Sequence, residues 1–287
     1  MGKGKVAKKA KQVSVVSDSN NSMSLLMPKI PEADLRAALP KVSVVTITYK
    51  RGEFVGLMLH NWLNIAYPRD KLEWVIVDDT PDDYPYQLEN YIPVDDKYIK
   101  YHKVDKHMKI DDKRNYAVGL TSYDYIVHMD DDDYYFPDSI LAKIRVMLHY
   151  KVKGVISMPF GTYDLTTDKS GVIYSEDSTW DAVPEASLAY KKSYWKDHKF
   201  KSNQDDGLCE GAEFITDFRK WANIPFMFNF IGITHGKNVT NKNRTIEETD
   251  TVDVDKKDQV GNFADVFPSE VKYILNNIKN IISDDSQ

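Results

Sequence analysis

Apolar stretches rich in β-branched residues alternate along this chain with segments in which apolar residues recur at helical spacing. Four apolar stretches cover residues 42–49, 73–79, 98–103 and 123–129. Nearly continuous apolar character is typical of strands that are buried on both faces of a parallel sheet. Residues 54–65 and a segment capped by Asp111 have the period of amphipathic helices. This alternation predicts an α/β fold.

The second half of the chain has a more mixed pattern. A helix is predicted to begin at Pro137, and two strands are predicted at residues 154–160 and 226–234. Residues 210–222 have apolar positions at helical spacing and predict one continuous helix. An apolar stripe that begins near Ser269 predicts an amphipathic C-terminal helix, which either docks on the domain or forms a homodimer with a second copy.

The first residues differ in composition from the rest of the chain. They are rich in Lys, Ser and Asn, which predicts a largely disordered basic tail. We therefore expect a tail (1–40), a folded domain (41–250) with two halves (41–137 and 138–250), and a linker with the C-terminal helix (251–287).

The overall composition is that of an ordinary globular protein, with 42% hydrophobic and 29% charged residues. A net charge of −6 argues against a surface that coats nucleic acid. No apolar run reaches the roughly 18 residues of a membrane span, and no signal peptide is recognisable. The single cysteine, Cys209, fits a reducing compartment. We expect a cytoplasmic protein without a membrane span.

Four consecutive aspartates, Asp130 to Asp133, directly follow the fourth apolar stretch, and Asp78 and Asp79 end the second. In an open α/β sheet, ligands bind outside the carboxyl ends of the strands. Converging carboxylates at this edge suggest Mg²⁺ or Mn²⁺, bound together with phosphate oxygens. The alternative is a solvated loop that also caps the following helix.

Three segments in fixed order resemble the nucleotide-sugar half of family 2 glycosyltransferases with the GT-A fold. They are "VSVVTITYKR", "WVIVDDT" and "KRNYAVGLTSYDYIVHMDDDDYYFPDSI". The resemblance covers roughly residues 41–245 and implies a GT-A-type Rossmann-like sandwich with a mostly parallel central sheet. "DDDDYYFP" aligns with the family pattern D-x-D-D-x-x-x-P, which makes Asp130 and Asp132 its D-x-D pair.

The resemblance also implies roles for individual residues at the nucleotide and the metal. The residues expected at the nucleotide are Thr48, Tyr49, Arg51, Asp78, Asp79, Arg114, Asp130 and Asp131. Either Asp78 or Asp79 would accept a hydrogen bond from a ring N–H of the base. Asp132, with Asp130 and His235, would hold Mn²⁺ or Mg²⁺, which stabilises the leaving nucleoside diphosphate.

A polar loop at residues 234–244 resembles the family loop that closes over the diphosphate. Lys237, Asn238 and Arg244 would hold phosphate oxygens there, and His235 would ligate the metal. The alternative is a polar surface loop with a structural histidine.

An acceptor hydroxyl needs a base, which the family supplies from a G-E-D motif at the start of a helix. "GAEFITDFR" aligns with that motif, so Glu213 takes the place of the aspartate and Arg219 that of a downstream arginine. Because an alanine replaces the preceding acid, Glu210, three residues before Glu213 on the same helical face, is the alternative base. Trp180 and Trp195 would stack on acceptor sugars, or belong to the core.

Together these features predict a metal-dependent, inverting, non-processive glycosyltransferase. It would move one sugar from a nucleotide-sugar, most simply a UDP-sugar, to a hydroxyl of a glycan or another acceptor. One alternative is a sugar nucleotidyltransferase, although such enzymes have a Gly-rich loop where this chain has Gly52 alone. The other is a catalytically inactive module that binds a nucleotide or a sugar.

Overall fold

A computed structural model of the chain describes residues 37–173, 183–201, 210–236, 238 and 262–284. In chain order, the strands of these residues are β1 (Val42–Thr48), β2 (Leu72–Asp78), β3 (Ile99–Lys103), β4 (Tyr125–His128), β5 (Tyr134–Tyr135), β6 (Gly154–Ile156), β7 (Phe160–Asp164), β8 (Lys169–Ile173), β9 (Ala189–Lys191), β10 (Trp221–Asn223) and β11 (Phe230–Thr234). The α-helices are α1 (Val55–Leu63), α2 (Ile110–Leu120), α3 (Ser139–Tyr150), α4 (Lys192–Asp197), α5 (Glu210–Phe214) and α6 (Ser269–Asp284).

Two sheets organise the described part of the chain. The larger has the order β10-β6-β9-β4-β1-β2-β3, and among these seven strands only β9 runs antiparallel to its neighbours. The smaller has the order β5-β11-β7-β8, in which β11 is parallel to β7. Through β4 the strands alternate with α-helices, except that a 3₁₀ turn at Leu88–Asn90 lies between β2 and β3. The predicted α/β fold with a mostly parallel central sheet is confirmed.

The two central strands explain the apolar stretches of the sequence. All seven residues of β1 and all seven of β2 are buried, because both faces of the sheet are covered. One polar pair is matched across these strands: Ser43 lies opposite Glu73, and its hydroxyl donates to Glu73 Oε1 at 2.5 Å. Sheet pairing therefore satisfies a hydroxyl and a carboxylate that burial would otherwise penalise.

Glu73 connects four parts of the fold. Its Oε1 also accepts from the Ser122 amide at 2.5 Å, just before β4, and its Oε2 lies 2.7 Å from Lys100 Nζ on β3. Burial disfavours the charged carboxylate. The hydrogen bonds from Lys100, Ser43 and Ser122 outweigh that cost, so the pKa of Glu73 lies below its ordinary value.

One predicted helix is wrong in length. The segment 210–222 forms a helix only as far as Phe214, then a 3₁₀ turn, and then β10. The Tyr194 hydroxyl ends the helix, because it donates to Phe214 O and accepts from Thr216 N, both at 3.0 Å. Phe214 and Trp221 are nevertheless both buried, the latter as a strand residue.

Three other predicted boundaries also differ from the structure. The stretch 154–160 divides into β6 and β7, which belong to different sheets, and Pro159 between them has no N–H for a ladder. In 226–234 the strand begins only at Phe230, after a 3₁₀ turn. The cap residue of α2 is Lys109, so Asp111 lies inside the helix that it was expected to cap.

The C-terminal helix packs on its own domain. Val271, Leu275 and Ile278 of α6 are buried in one cluster with Phe54 and Leu57, which lie at the start of α1. This packing agrees with the prediction that the apolar stripe docks on the domain. The homodimer stays a prediction. No helix in the described ranges is long and apolar enough to cross a bilayer.

We predict that Glu73→Gln lowers the free energy of unfolding at neutral pH by about 1–3 kcal/mol, because the charged hydrogen bonds to Lys100 and Ser122 are lost or weakened. A folded-state pKa below the unfolded value contributes stability above the unfolded pKa, and that contribution is lost as the pH falls through the folded pKa. The difference between wild type and variant should therefore shrink on acidification. Urea unfolding at several pH values measures it, with exposed Glu89→Gln as the control. Equal effects of both variants would contradict the role given to Glu73.

Candidate active site

Parallel strands bring the carboxyl ends of β1, β2 and β4 to one edge of the larger sheet. Thr48, the last residue of β1, lies opposite Asp78, the last residue of β2. His128 ends β4, and the aspartate cluster begins two residues later. His235 joins the same edge from the end of β11, since it contacts this cluster directly.

The last aspartate of the cluster, Asp133, has a structural role. Its Oδ1 accepts from the Ile233 amide at 2.9 Å, and its backbone oxygen accepts from Asn61 Nδ2 at 2.8 Å. Asn61 Oδ1 in turn accepts from the Tyr135 amide at 3.1 Å. The turn after β4 is thereby fixed to both α1 and β11.

Asp132 lies in a polar group with His235 and Asn238. Its Oδ2 is 3.0 Å from His235 Nε2, 3.2 Å from Asn238 Nδ2 and 4.0 Å from Arg51 Nη2. Asn238 Oδ1 accepts from the His235 amide at 2.8 Å, which orients the loop after β11. Phe54 packs against the His235 ring at a centroid distance of 4.5 Å and holds it in place.

Asp131, which precedes Asp132 in the chain, is buried, and the Thr48 side chain donates a hydrogen bond to it. Burial and then the negative charge of Asp132 raise the pKa of Asp131, against the opposing effect of Arg51. A cation beside Asp132 would relieve this repulsion, and a carboxylate oxygen with an imidazole nitrogen is a usable pair of metal ligands. Within the described residues no three His, Cys, Asp or Glu side chains form a metal site on their own. Phosphate oxygens and water would have to complete the coordination.

Asp130 points to a different partner. Its Oδ1 lies 3.5 Å from Arg114 Nη1, and the same Nη1 lies 3.1 Å from His128 Nδ1. His128 Nε2 contacts the Tyr190 hydroxyl at 2.8 Å. Burial, with the positive charges of Arg114 and Lys143, holds the pKa of His128 well below its ordinary value. Arg114 is thus a buried cation held between a neutral histidine and Asp130, and not a surface residue.

Asp79, which directly follows β2, lies beside an aromatic pair formed by Tyr49 and His107. It forms a buried ion pair with Lys113, and its Oδ2 accepts from the Met108 amide at 2.7 Å and lies 2.9 Å from His107 Nδ1. The His107 ring lies against Tyr49 with a centroid distance of 4.1 Å. Neither Lys113 nor His107 is predicted from the sequence to contribute to the site, although Lys113 immediately precedes Arg114.

Asp78 is engaged in the interior. Its oxygens accept from the Thr80 amide at 2.8 Å and from the Tyr101 hydroxyl at 2.7 Å. Thr80 Oγ1 accepts from the Lys50 amide at 2.7 Å, and Lys50 has a left-handed backbone with φ of 53°. The loops after β1 and β2 are joined in this way, and of the two carboxylates it is Asp79 that adjoins the aromatic pair.

The proposed bases lie on α5. Glu213 is exposed in its last turn, and Glu210 begins the same helix. Arg219 pairs with Asp217, with Nε 2.8 Å from its Oδ1, and lies outside this helix. The Gly211 amide donates to Glu185 Oε1 at 2.7 Å, which ties the helix to the segment before β9.

Among the remaining expected residues, Trp195 is buried, and its Nε1 donates to Asn115 Oδ1 at 2.9 Å. It therefore occupies the core position that was its alternative to an acceptor platform. Trp180, Lys237 and Arg244 lie outside the described residues.

Known proteins share the family and the fold of this chain. A family model described as "Glycosyl transferase family 2" matches residues 43–208. The chain is similar to S. aureus TarS 1–349 in complex with UDP-GlcNAc, at 14% identity and a TM-score of 0.52, over 69% of this chain and 60% of that one. It is also similar to the mannosyltransferase PcManGT from Pyrobaculum calidifontis in complex with GDP-Man and Mn²⁺, at 15% identity and 0.54, over 85% and 70%. These likenesses show the GT-A fold.

The four aspartates should differ in their effect on stability. We predict that Asp133→Ala lowers the free energy of unfolding by about 1–3 kcal/mol, since it leaves the buried Ile233 amide without its acceptor. Asp132→Asn should leave stability unchanged or slightly raised, because it removes one charge from a group of like charges. Thermal unfolding in EDTA measures both. A larger loss from Asp132→Asn than from Asp133→Ala would contradict this division.

Proposed function

The chain belongs to glycosyl transferase family 2, and on that premise we propose that it is a metal-dependent, inverting glycosyltransferase. It moves a single sugar from a nucleotide-sugar to a hydroxyl of a glycan or another acceptor. The observation that carries the proposal is that one sheet edge holds two distinct polar groups: Asp132 lies with His235, while Asp79 lies with an aromatic pair.

Asp132 and His235 are the residues that would hold a divalent cation, with Asp130 as a further candidate. When bound, Mn²⁺ or Mg²⁺ acts as a Lewis acid for the leaving diphosphate. The imidazole favours manganese, because magnesium prefers oxygen ligands. Asn238 contacts Asp132 and adjoins Lys237, so the loop after β11 is suited to donate hydrogen bonds and charge to phosphate oxygens. Arg244 would add a bidentate contact.

The nucleotide is proposed to lie over the ends of β1 and β2. Tyr49 offers a ring for stacking, and Asp79 offers a carboxylate to a ring N–H of the base. Uracil and guanine both carry such an N–H, and we favour a UDP-sugar. TarS and GalNAc-T7 have been solved with uridine nucleotides, and PcManGT with a guanosine nucleotide. Arg114 and Asp130 would contact the nucleoside.

Transfer itself needs a carboxylate that takes the proton of the acceptor hydroxyl. Glu213 is our first candidate because it is exposed, and Glu210 on the same helix is the second. As the proton moves to the carboxylate, the acceptor oxygen forms a bond to the anomeric carbon. The bond from that carbon to the diphosphate breaks on the opposite face, which inverts the configuration.

Asp132→Asn should abolish metal-dependent turnover, with a loss of about a hundredfold or more in kcat, because the cation that stabilises the leaving group is no longer held. UDP should bind the wild type more tightly with Mn²⁺ than with EDTA, and the variant equally under both conditions. Turnover is measured as hydrolysis of, and transfer from, a panel of UDP- and GDP-sugars. The affinity for UDP is measured by isothermal titration. Asp168→Asn, on an exposed turn, is the matched control. Undiminished Mn²⁺-dependent activity in Asp132→Asn would contradict the assignment of Asp132 as a metal ligand.

Glu213→Gln keeps the shape of the side chain but removes the proton acceptor. We expect kcat to fall by about 10²–10⁴-fold while the affinity for UDP with Mn²⁺ is unchanged. Glu210→Gln should retain most activity. The reverse outcome would transfer the role of base to Glu210, and loss of activity in neither variant would exclude both.

A further inference from the structure

His107 makes two specific contacts although most of its side chain is exposed. The side chain is 61% exposed, whereas that of Asp79 is 0% exposed. Its ring centroid lies 4.1 Å from that of Tyr49 with an angle of 39° between the planes, and its Nδ1 lies 2.9 Å from Asp79 Oδ2. Because a carboxylate only accepts, His107 Nδ1 carries the proton in this contact.

The Oδ2 atom of Asp79 has little capacity left for another hydrogen-bond donor. A carboxylate oxygen offers about two acceptor positions. At Oδ2 these are taken by the Met108 amide at 2.7 Å and by His107. Lys113 occupies the other oxygen, Oδ1. A new N–H donor can reach Oδ2 only by taking the place of His107.

The Tyr49 ring is restricted in the same way. Stacked rings lie about 3.5–4 Å apart, so a third ring does not fit between two whose centroids are 4.1 Å apart. Lys50 and Lys113 approach the Tyr49 ring as cations, at 5.2 and 5.5 Å from its centroid. A flat ligand that stacks on the face covered by His107 must therefore displace the imidazole.

We propose that His107 occupies the place of the donor base: it covers Tyr49 and donates to Asp79 as a base would, and it must swing out for the nucleotide to bind. This inference rests on the proposed function, because it takes Tyr49 and Asp79 as the base-binding residues. The base exchanges one ring contact and one N–H bond to Asp79 for equivalent ones. His107 is thus a specificity-determining residue that lowers donor affinity and rejects ligands unable to replace both contacts.

The test compares UDP binding in wild type, His107→Ala and His149→Ala by isothermal titration with saturating Mn²⁺. We expect His107→Ala to bind UDP about tenfold more tightly, which corresponds to about 1.4 kcal/mol. Inorganic pyrophosphate, which has no base, should bind wild type and His107→Ala equally. His149 is the matched control, since it is an exposed histidine beside a tyrosine, with ring centroids 4.7 Å apart, outside the site.

Other outcomes overturn the inference. Weaker UDP binding in His107→Ala, restored in His107→Phe, would show that the ring stacks on the bound base and does not compete with it. Equal UDP affinity in wild type and His107→Ala, with binding that still requires Asp132, would refute the role of His107 but leave the proposed function intact. Failure of UDP and GDP to bind any of these proteins would refute the proposed function, and this inference with it.

Discussion

Four adjacent carboxylates repel one another, and the candidate active site depends on the contact that each of them makes with a different partner. Asp133 is fixed to the β11 backbone, Asp131 is buried against Thr48, Asp130 faces Arg114 and Asp132 faces His235. Those partners come from separate elements, so the cluster connects the end of β1, the middle of α2 and the end of β11. The four carboxylates therefore have their separate partners only when β1, α2 and β11 take their correct positions at this edge of the sheet.

The carboxylates at this edge of the sheet lie at different distances from the cations that approach them. Arg51 approaches Asp132 no closer than 4.0 Å, and Arg114 approaches Asp130 at 3.5 Å, both longer than a close ion pair. Asp79, in contrast, forms a direct buried pair with Lys113. The direct ion pair of Asp79 lies where an uncharged base is proposed to bind, whereas Asp132 and Asp130 lie where a cation and a diphosphate are proposed to bind.

The sequence was informative wherever burial acts on a whole segment, and less so where a single tertiary contact decides. Strands β1 and β2 were predictable because both faces are covered, which requires apolar residues at nearly every position. The end of α5 was not, since it depends on a hydroxyl from Tyr194 in another element. The family pattern singles out Asp132 as a proposed metal ligand, but the structural role of Asp133 follows only from its contact with the Ile233 amide, which no local pattern reveals. His107 lies in a loop without periodicity, and no pattern could indicate it.

The polar groups proposed to bind ligand are already bonded to side chains of the protein. The His235 nitrogen lies at the carboxylate that is proposed to hold the cation, and the His107 ring lies at the carboxylate that is proposed to hold the base. Such contacts stabilise a cluster of carboxylates that would otherwise be buried without donors, which is costly. They also turn donor binding into an exchange of partners, so the net affinity is the difference between two similar sets of interactions. On this view a change at His107 alters donor affinity without altering the chemistry, whereas His235 is itself proposed to hold the cation, so a change there alters both.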